Sequence, residues 1–198
     1  MEKHFEKIVA FVDYHNLELS FRNEGLKLDL VALREYLSEG RWLLETFVYI
    51  GFNPNNHNGN QNFHQFLSMN GFMVRTKPAK VKPNGSLKCD FDIEIALDIV
   101  DYIEKAKPDI VVLVSGDGDF APLATWLRIR GVRVEVAALP STLSQDLKEA
   151  ANGYINLYEA MQEIQSAGEE IPAQREEVRN HGNGNNQWPE GADTGHSE

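Results

Sequence analysis

The chain has 198 residues, 42% of them hydrophobic and 25% charged, which suits one soluble α/β domain with a short appendage better than two domains. Its formal net charge of −11 argues against a protein that coats nucleic acid generally, since such proteins are basic. A single cysteine, Cys89, excludes an intramolecular disulfide and fits a reducing compartment, and no run of about 18 apolar residues is present to form a membrane-spanning helix.

Apolar strands alternate with amphipathic helices, the pattern of a mostly parallel sheet covered on both faces. The opening MEKHFEK leaves no place for a signal peptide, so a cytoplasmic location is expected, and the first strand follows over Ile8–Val12. A short helix is predicted near Leu17–Phe21 and a second over Leu30–Leu37, with Asp29 as its N-cap. Strand two takes Leu43–Ile50. The polar stretch NPNNHNGNQ leads into a helix near Phe63–Met69, closed by Asn70-Gly71. Strand three spans Phe72–Thr76, and a long loop with Pro78, Pro83 and Gly85 precedes a helix over Phe91–Lys105. Strand four, Ile110–Val114, is apolar throughout, as a central buried strand is. A helix over Pro122–Arg130, strand five over Val132–Ala138, a helix over Leu143–Ala150 and a short strand over Tyr154–Leu157 complete the body.

These elements predict a three-layer α/β domain over residues 1–165, with about five strands in its central sheet and helices on both faces. Residues 166–198 hold seven acids against Arg175 and Arg179, a balance of −5, and are rich in glycine and asparagine. Such a segment buries too little apolar surface to offset ordering, and a disordered tail is expected. Trp188 is expected to be a bystander there, with contact to a protein partner as the other use of the tail. Between Arg75 and Lys88 the charge reverses: Arg75, Lys77, Lys80, Lys82 and Lys88 occur with no acid among them. Such a stretch suits the phosphates of an anionic substrate, so the overall acidity does not exclude one.

Open parallel sheets bind ligands at the carboxyl ends of their strands, where strand order reverses. Two of the apolar strands end directly in aspartate: the first runs into Asp13-Tyr14-His15-Asn16, the fourth into Ser115-Gly116-Asp117-Gly118-Asp119. One such ending is common turn chemistry, whereas two, one of them D-G-D, point to a site. A further carboxylate comes from the helix that follows Cys89. At helical periodicity Asp92 falls inside the apolar arc of Ile95, Ala96, Leu97, Ile99, Val100 and Ile103, while Glu94, Asp98 and Asp101 share a solvated face. A charge on an apolar arc needs a partner, so Asp92 either caps its own helix or faces the strand ends; Asp90 and Asp98 are the substitutes if the helix phase differs.

Asp13, Asp92, Asp117 and Asp119 together would repel one another unless a cation neutralised them. Hard oxygen ligands without histidine or cysteine favour Mg²⁺ or Mn²⁺, and such a site suits two-metal hydrolysis of a phosphodiester. Asn16 and Ser115 are candidates to orient the carboxylates or a water, with turn stabilisation equally open to them. Arg75, Lys80, Lys82 and Lys88 are candidate RNA contacts, with Arg22 and Arg128 as weaker additions. Tyr14 is a candidate to stack on a base, Phe120 is expected in the core, and His57, His64 and Cys89 show no ligand pattern.

Val12–Leu17 (VDYHNL), Phe91–Ile99 (FDIEIALDI) and Val114–Val136 (VSGDGDFAPLATWLRIRGVRVEV) resemble the three motif blocks of NYN-domain proteins, in the LabA-like branch of the PIN-like superfamily. The likeness spans about Ile8 to Leu157, and the third block is the most specific. It implies a PIN-like α/β fold, with metal-dependent endoribonucleases among the characterised relatives. The family's acidic positions fall on Asp13, Asp92, Asp117 and Asp119, and its asparagine and serine on Asn16 and Ser115. Members often carry a lysine three residues before the second-block aspartate, whereas Lys88 stands four before Asp92.

The expected function is therefore a Mg²⁺- or Mn²⁺-dependent ribonuclease acting on single-stranded or structured RNA. Its rival is a regulatory module of the same fold, binding RNA or protein without turnover. An aspartyl-phosphate enzyme fits less well, because Phe120-Ala121-Pro122 follows the D-G-D. A calcium loop fails because its fifth position is Ala121, which offers no side-chain oxygen. Pairing through the edge strand Tyr154–Leu157 or through apolar helix faces would give a homodimer.

Overall fold

The structure, a computed structural model, describes residues 5–54, 57–81 and 87–166, except the side chains of 57–60 and 87. Lys82 and residues 167–198, Trp188 among them, lie outside the described residues. In chain order the elements are β1 (Lys7–Asp13), α1 (Tyr14–Asn23), α2 (Leu30–Ser38), β2 (Trp42–Phe52), α3 (His57–Met69) and β3 (Met73–Pro78). A small hairpin of β4 (Lys80–Val81) and β5 (Leu87–Lys88) follows, then α4 (Asp92–Ala106), β6 (Ile110–Val114) and a 3₁₀ turn over Gly118–Phe120. The body ends with α5 (Ala121–Ile129), β7 (Arg133–Ala138), α6 (Gln145–Ala150) and β8 (Gly153–Asn156), after which residues 157–166 are helical.

β1 and β6 are buried along almost their whole length because a parallel sheet is covered on both faces. Ile8, Ala10 and Val12 face one helical layer with Ile110, Val112 and Val114, packing on Leu17 and Phe21 of α1, Leu33 of α2 and Leu67 of α3. Val9, Phe11, Val111 and Leu113 face the other layer, formed by Ile95 and Ile99 of α4, Leu127 of α5 and Leu147 of α6. The result is the expected three-layer α/β/α domain. Its sheet has six strands in the order β3-β2-β1-β6-β7-β8, and every pairing is parallel.

The sixth strand is β8, the short strand foreseen near Tyr154. It ends one residue early because the Asn156 side chain accepts the Tyr158 N–H at 3.1 Å and starts the following helix, which buries Ala160 and Met161. The long loop after the third strand contains the β4–β5 hairpin, in which Lys80 and Lys88 stand opposite each other. α1 starts three residues earlier than the apolar pattern indicates, because the Asp13 carboxylate accepts the Asn16 N–H at 3.2 Å and caps the helix directly at the strand end. Asp29 caps α2 as expected, accepting the N–H groups of Val31 and Ala32, each at 3.0 Å.

From β1 the chain winds outward through β2 to β3, then returns to the middle and winds the other way through β6, β7 and β8. The order therefore reverses between β1 and β6, and the carboxyl ends of these two strands open the crevice that such a reversal creates.

Candidate metal centre

β1 delivers Asp13 to that crevice, and β6 delivers Ser115 and the turn Gly116–Asp119. The turn is locally self-supporting. The Ser115 hydroxyl accepts the Asp117 N–H at 3.2 Å, and the Asp117 carboxylate accepts the Asp119 N–H at 3.0 Å, capping the 3₁₀ turn. Asn16 reaches across from α1, its Oδ1 accepting the Gly116 N–H at a long 3.5 Å. Its own carbonyl accepts the Ser20 hydroxyl at 2.7 Å. Asn16 and Ser115 thus brace the acidic turn from the chain side of the crevice.

Asp92 is the first residue of α4, and the N-cap residue before it, Phe91, supplies no side-chain cap hydrogen bond. The capping role falls to Asp90, whose Oδ1 accepts the Asp92 N–H at 3.1 Å. The buried stripe of α4 is Ile95, Ile99 and Ile103, and Asp92 continues that line one turn earlier. Leu97, expected in the same arc, is exposed at its edge. The helix is therefore laid down with Asp92 aimed at the strand ends.

Carboxylate oxygens of Asp92, Asp117 and Asp119 lie within 4.8 Å of one another. Asp13 stands outside this tight trio but inside its field. Burial pushes its carboxyl up, the Asn16 N–H and His15 pull it back, and Asp117 and Asp90 push it up again. Asp92 is pushed up to about 6, by burial first and then by Asp90, Asp117 and Asp13. Helix N-termini ordinarily favour an anion, so burial, with the neighbouring carboxylates added to it, outweighs the helix dipole here. The donor set is entirely carboxylate, with half-buried ligands and one exposed one. It matches a hard divalent cation such as Mg²⁺ or Mn²⁺ and not the nitrogen- and sulfur-rich sets zinc prefers.

Asp98 is drawn elsewhere. It accepts the hydroxyl of buried Tyr49 at 2.9 Å and Nε of Arg75 at 3.0 Å, and Lys77 pairs with Glu94 at 2.5 Å. The face of α4 expected to be solvated is thus partly covered by the cations of β3, and Arg75 is committed to an ion pair over the Phe47 ring. Lys80 and Lys88 are exposed and make no ion pair among the described residues. Arg22 pairs with Glu18, and Arg128 donates to the carbonyls of Glu149 and Ala150, which takes both away from the acids. Tyr14 packs on Phe63 and Phe120 is buried. His64 is half-buried, the His57 side chain lies outside the described residues, and Cys89 fills the space left by Gly51.

A concavity of about 560 Å³, lined by Thr125, Arg128, Ile129 and Asn152, opens at the amino end of β7, the opposite edge of the sheet from the acids. The loop after β7 is the part of the site no local motif announces. Thr142 and Ser144 press on Gly116 and Gly118, a contact between segments about 26 residues apart that leaves no trace in either stretch.

The model of the NYN domain family matches residues 7–159. The chain belongs to the NYN domain family. This NYN domain is 28% identical over 160 residues to the Low amplitude and bright protein LabA of Synechococcus elongatus, the match covering 76% of this chain and 83% of that protein. It also superposes on the crystal structure of a Vibrio parahaemolyticus protein of unknown function with a TM-score of 0.67 and 28% identity, covering 79% of this chain and 95% of the other. The expected PIN-like, LabA-like affiliation and the α/β fold agree with these likenesses. No described helix is long and apolar enough to cross a membrane.

Proposed function

We propose that this NYN domain is a divalent-metal-dependent ribonuclease whose ion is held by Asp92, Asp117 and Asp119, with Asp13 beside them. The observation that carries the reading is the convergence of three carboxylates within 4.8 Å at the reversal point of the sheet. Charges so crowded call for a cation, and an all-oxygen site at a strand-end crevice suits phosphodiester hydrolysis. Membership of a family within the PIN-like nuclease superfamily supports the same chemistry.

A Mg²⁺ or Mn²⁺ ion held by Asp92, Asp117 and Asp119 would supply activation of a water and neutralisation of the charge developing on the phosphate, the chemistry of one- or two-metal hydrolysis. The chain does the rest. Asp13, buried at the end of β1, would add negative charge beside the trio. Asn16 and Ser115 keep the Asp117 turn in register. Lys80 and Lys88 on the hairpin, with Lys82 between them in sequence, meet RNA phosphates. Arg75 joins them only by releasing Asp98, so it contributes least of the four.

The test is cleavage of a labelled single-stranded RNA in Mn²⁺, compared with chelator and with Asp117→Asn and Asp92→Asn. Wild type should cleave only with metal, and each variant should fall to background while keeping its fold by circular dichroism. Equal background from all three proteins would replace the nuclease with a non-catalytic module of the same fold.

A further inference from the structure

Ser144 occupies the N-cap of α6, yet its hydroxyl caps nothing and makes no hydrogen bond among the described residues. An N-cap serine normally spends its hydroxyl on the helix. Here the residue is turned to the acidic loop. Its N–H donates to the Gly116 carbonyl at 2.9 Å. A Cβ built on Gly118 would lie 2.6 Å from the Ser144 hydroxyl oxygen and 3.2 Å from its Cβ, and one on Gly116 would lie 2.3 Å from the Thr142 carbonyl oxygen. Neither glycine has the positive φ that only glycine adopts readily. The two glycines of G-D-G are therefore there for space, and the residue that takes up the space beside Gly118 is Ser144.

The platform under this contact is itself fixed. The Leu139 carbonyl accepts the N–H groups of Thr142 and Leu143 at 3.1 and 3.2 Å and the Thr142 hydroxyl at 3.3 Å. Ser141 is hydrogen-bonded to the Glu24 carboxylate at the far end of α1. The turn after β7 is thus closed on itself and tied to the end of α1 before it meets the acids. Asp117 and Asp119 flank the glycine that it touches, and the Asp117 carboxylate is bonded to the Asp119 N–H, so a shift at Gly118 moves both carboxylates.

We propose that Ser144 is a positioning residue of the metal centre, pressing on Gly118 so that Asp117 and Asp119 stand within reach of one cation beside Asp92. This rests on the metal-binding reading above. Mn²⁺ alone is titrated calorimetrically into the full chain, and thermal melts in chelator report the fold. Gly118→Ala, which crowds Ser144, should weaken Mn²⁺ binding by about tenfold or more, the size typical when the support of a metal ligand is lost. Gly118→Ala combined with Ser144→Gly, which reopens the space, should recover affinity to within about threefold of wild type. Ser144→Val presses on the native glycine from the other side and should weaken binding as Gly118→Ala does, providing the same test if that variant does not fold. Wild-type affinity in Gly118→Ala and Ser144→Val, or a double variant no better than Gly118→Ala, would overturn the positioning role while leaving the metal site intact. A wild-type chain that binds no Mn²⁺ would overturn both at once.

Discussion

Among the four candidate ligands, Asp92 is the one whose surroundings most change its chemistry. Its carboxyl is pushed up to about 6 from 3.8 by burial and by Asp90, Asp117 and Asp13, so the folded chain binds a proton there more tightly than the unfolded chain does. The charge therefore lowers stability, with no effect below the unfolded value and the full effect above about 6. In chelator, Asp92→Asn should melt at a higher temperature than wild type at about pH 8, and the gain should shrink as pH falls through 6 toward 4. Parallel melts across that range check it, and a constant difference would show that the charge is not the cause. With Mn²⁺ the order should reverse at about pH 8 if, as proposed, the same carboxylate binds the cation. The position of Asp92 was legible in the sequence as an acid on an apolar arc. The role of Asp90 was not, because which of two neighbouring aspartates caps the helix depends on where the helix starts, and that is set by Phe91 packing into the core.

At the scale of elements, α4 aims Asp92 through the stripe of Ile95, Ile99 and Ile103, all buried against the sheet. Ile99→Ala should cost about 3 kcal/mol in urea denaturation, as large-to-small changes in packed cores do. A cost below about 1 kcal/mol would mean the helix is not seated as described. The strands β1 and β6 were legible because a strand covered on both faces needs an unbroken apolar run, and IVAFV and IVVLV supply it. The helix at 157–166 was not, because its burial comes from a surface made by distant elements. Gly118 shows the same divide. The sequence marks it only as part of a turn, whereas in the structure its φ is not positive and the demand is space for Ser144.

At the scale of the molecule, the candidate site lies where the strand order reverses between the parallel neighbours β1 and β6. A ligand that binds only the folded chain stabilises it by mass action. Mn²⁺ at about a hundred times its dissociation constant should add about 2.7 kcal/mol to the stability of wild type and almost nothing to Asp117→Asn. Chemical denaturation with and without the ion measures both, and equal stabilisation of the two would place the ion elsewhere. By itself the sequence determined the layered α/β class, the strands that end in aspartate and the all-carboxylate composition of the candidate cluster, since periodicity, strand apolarity and residue type are local properties. Only the tertiary structure decided that Asp92, Asp117 and Asp119 form the tight trio with Asp13 beside them. It alone showed that Asp98 and Arg75 neutralise each other away from it, and that Ser144 abuts the acidic turn. Those facts depend on which distant segments the strand order makes neighbours, and no single stretch of chain carries that information.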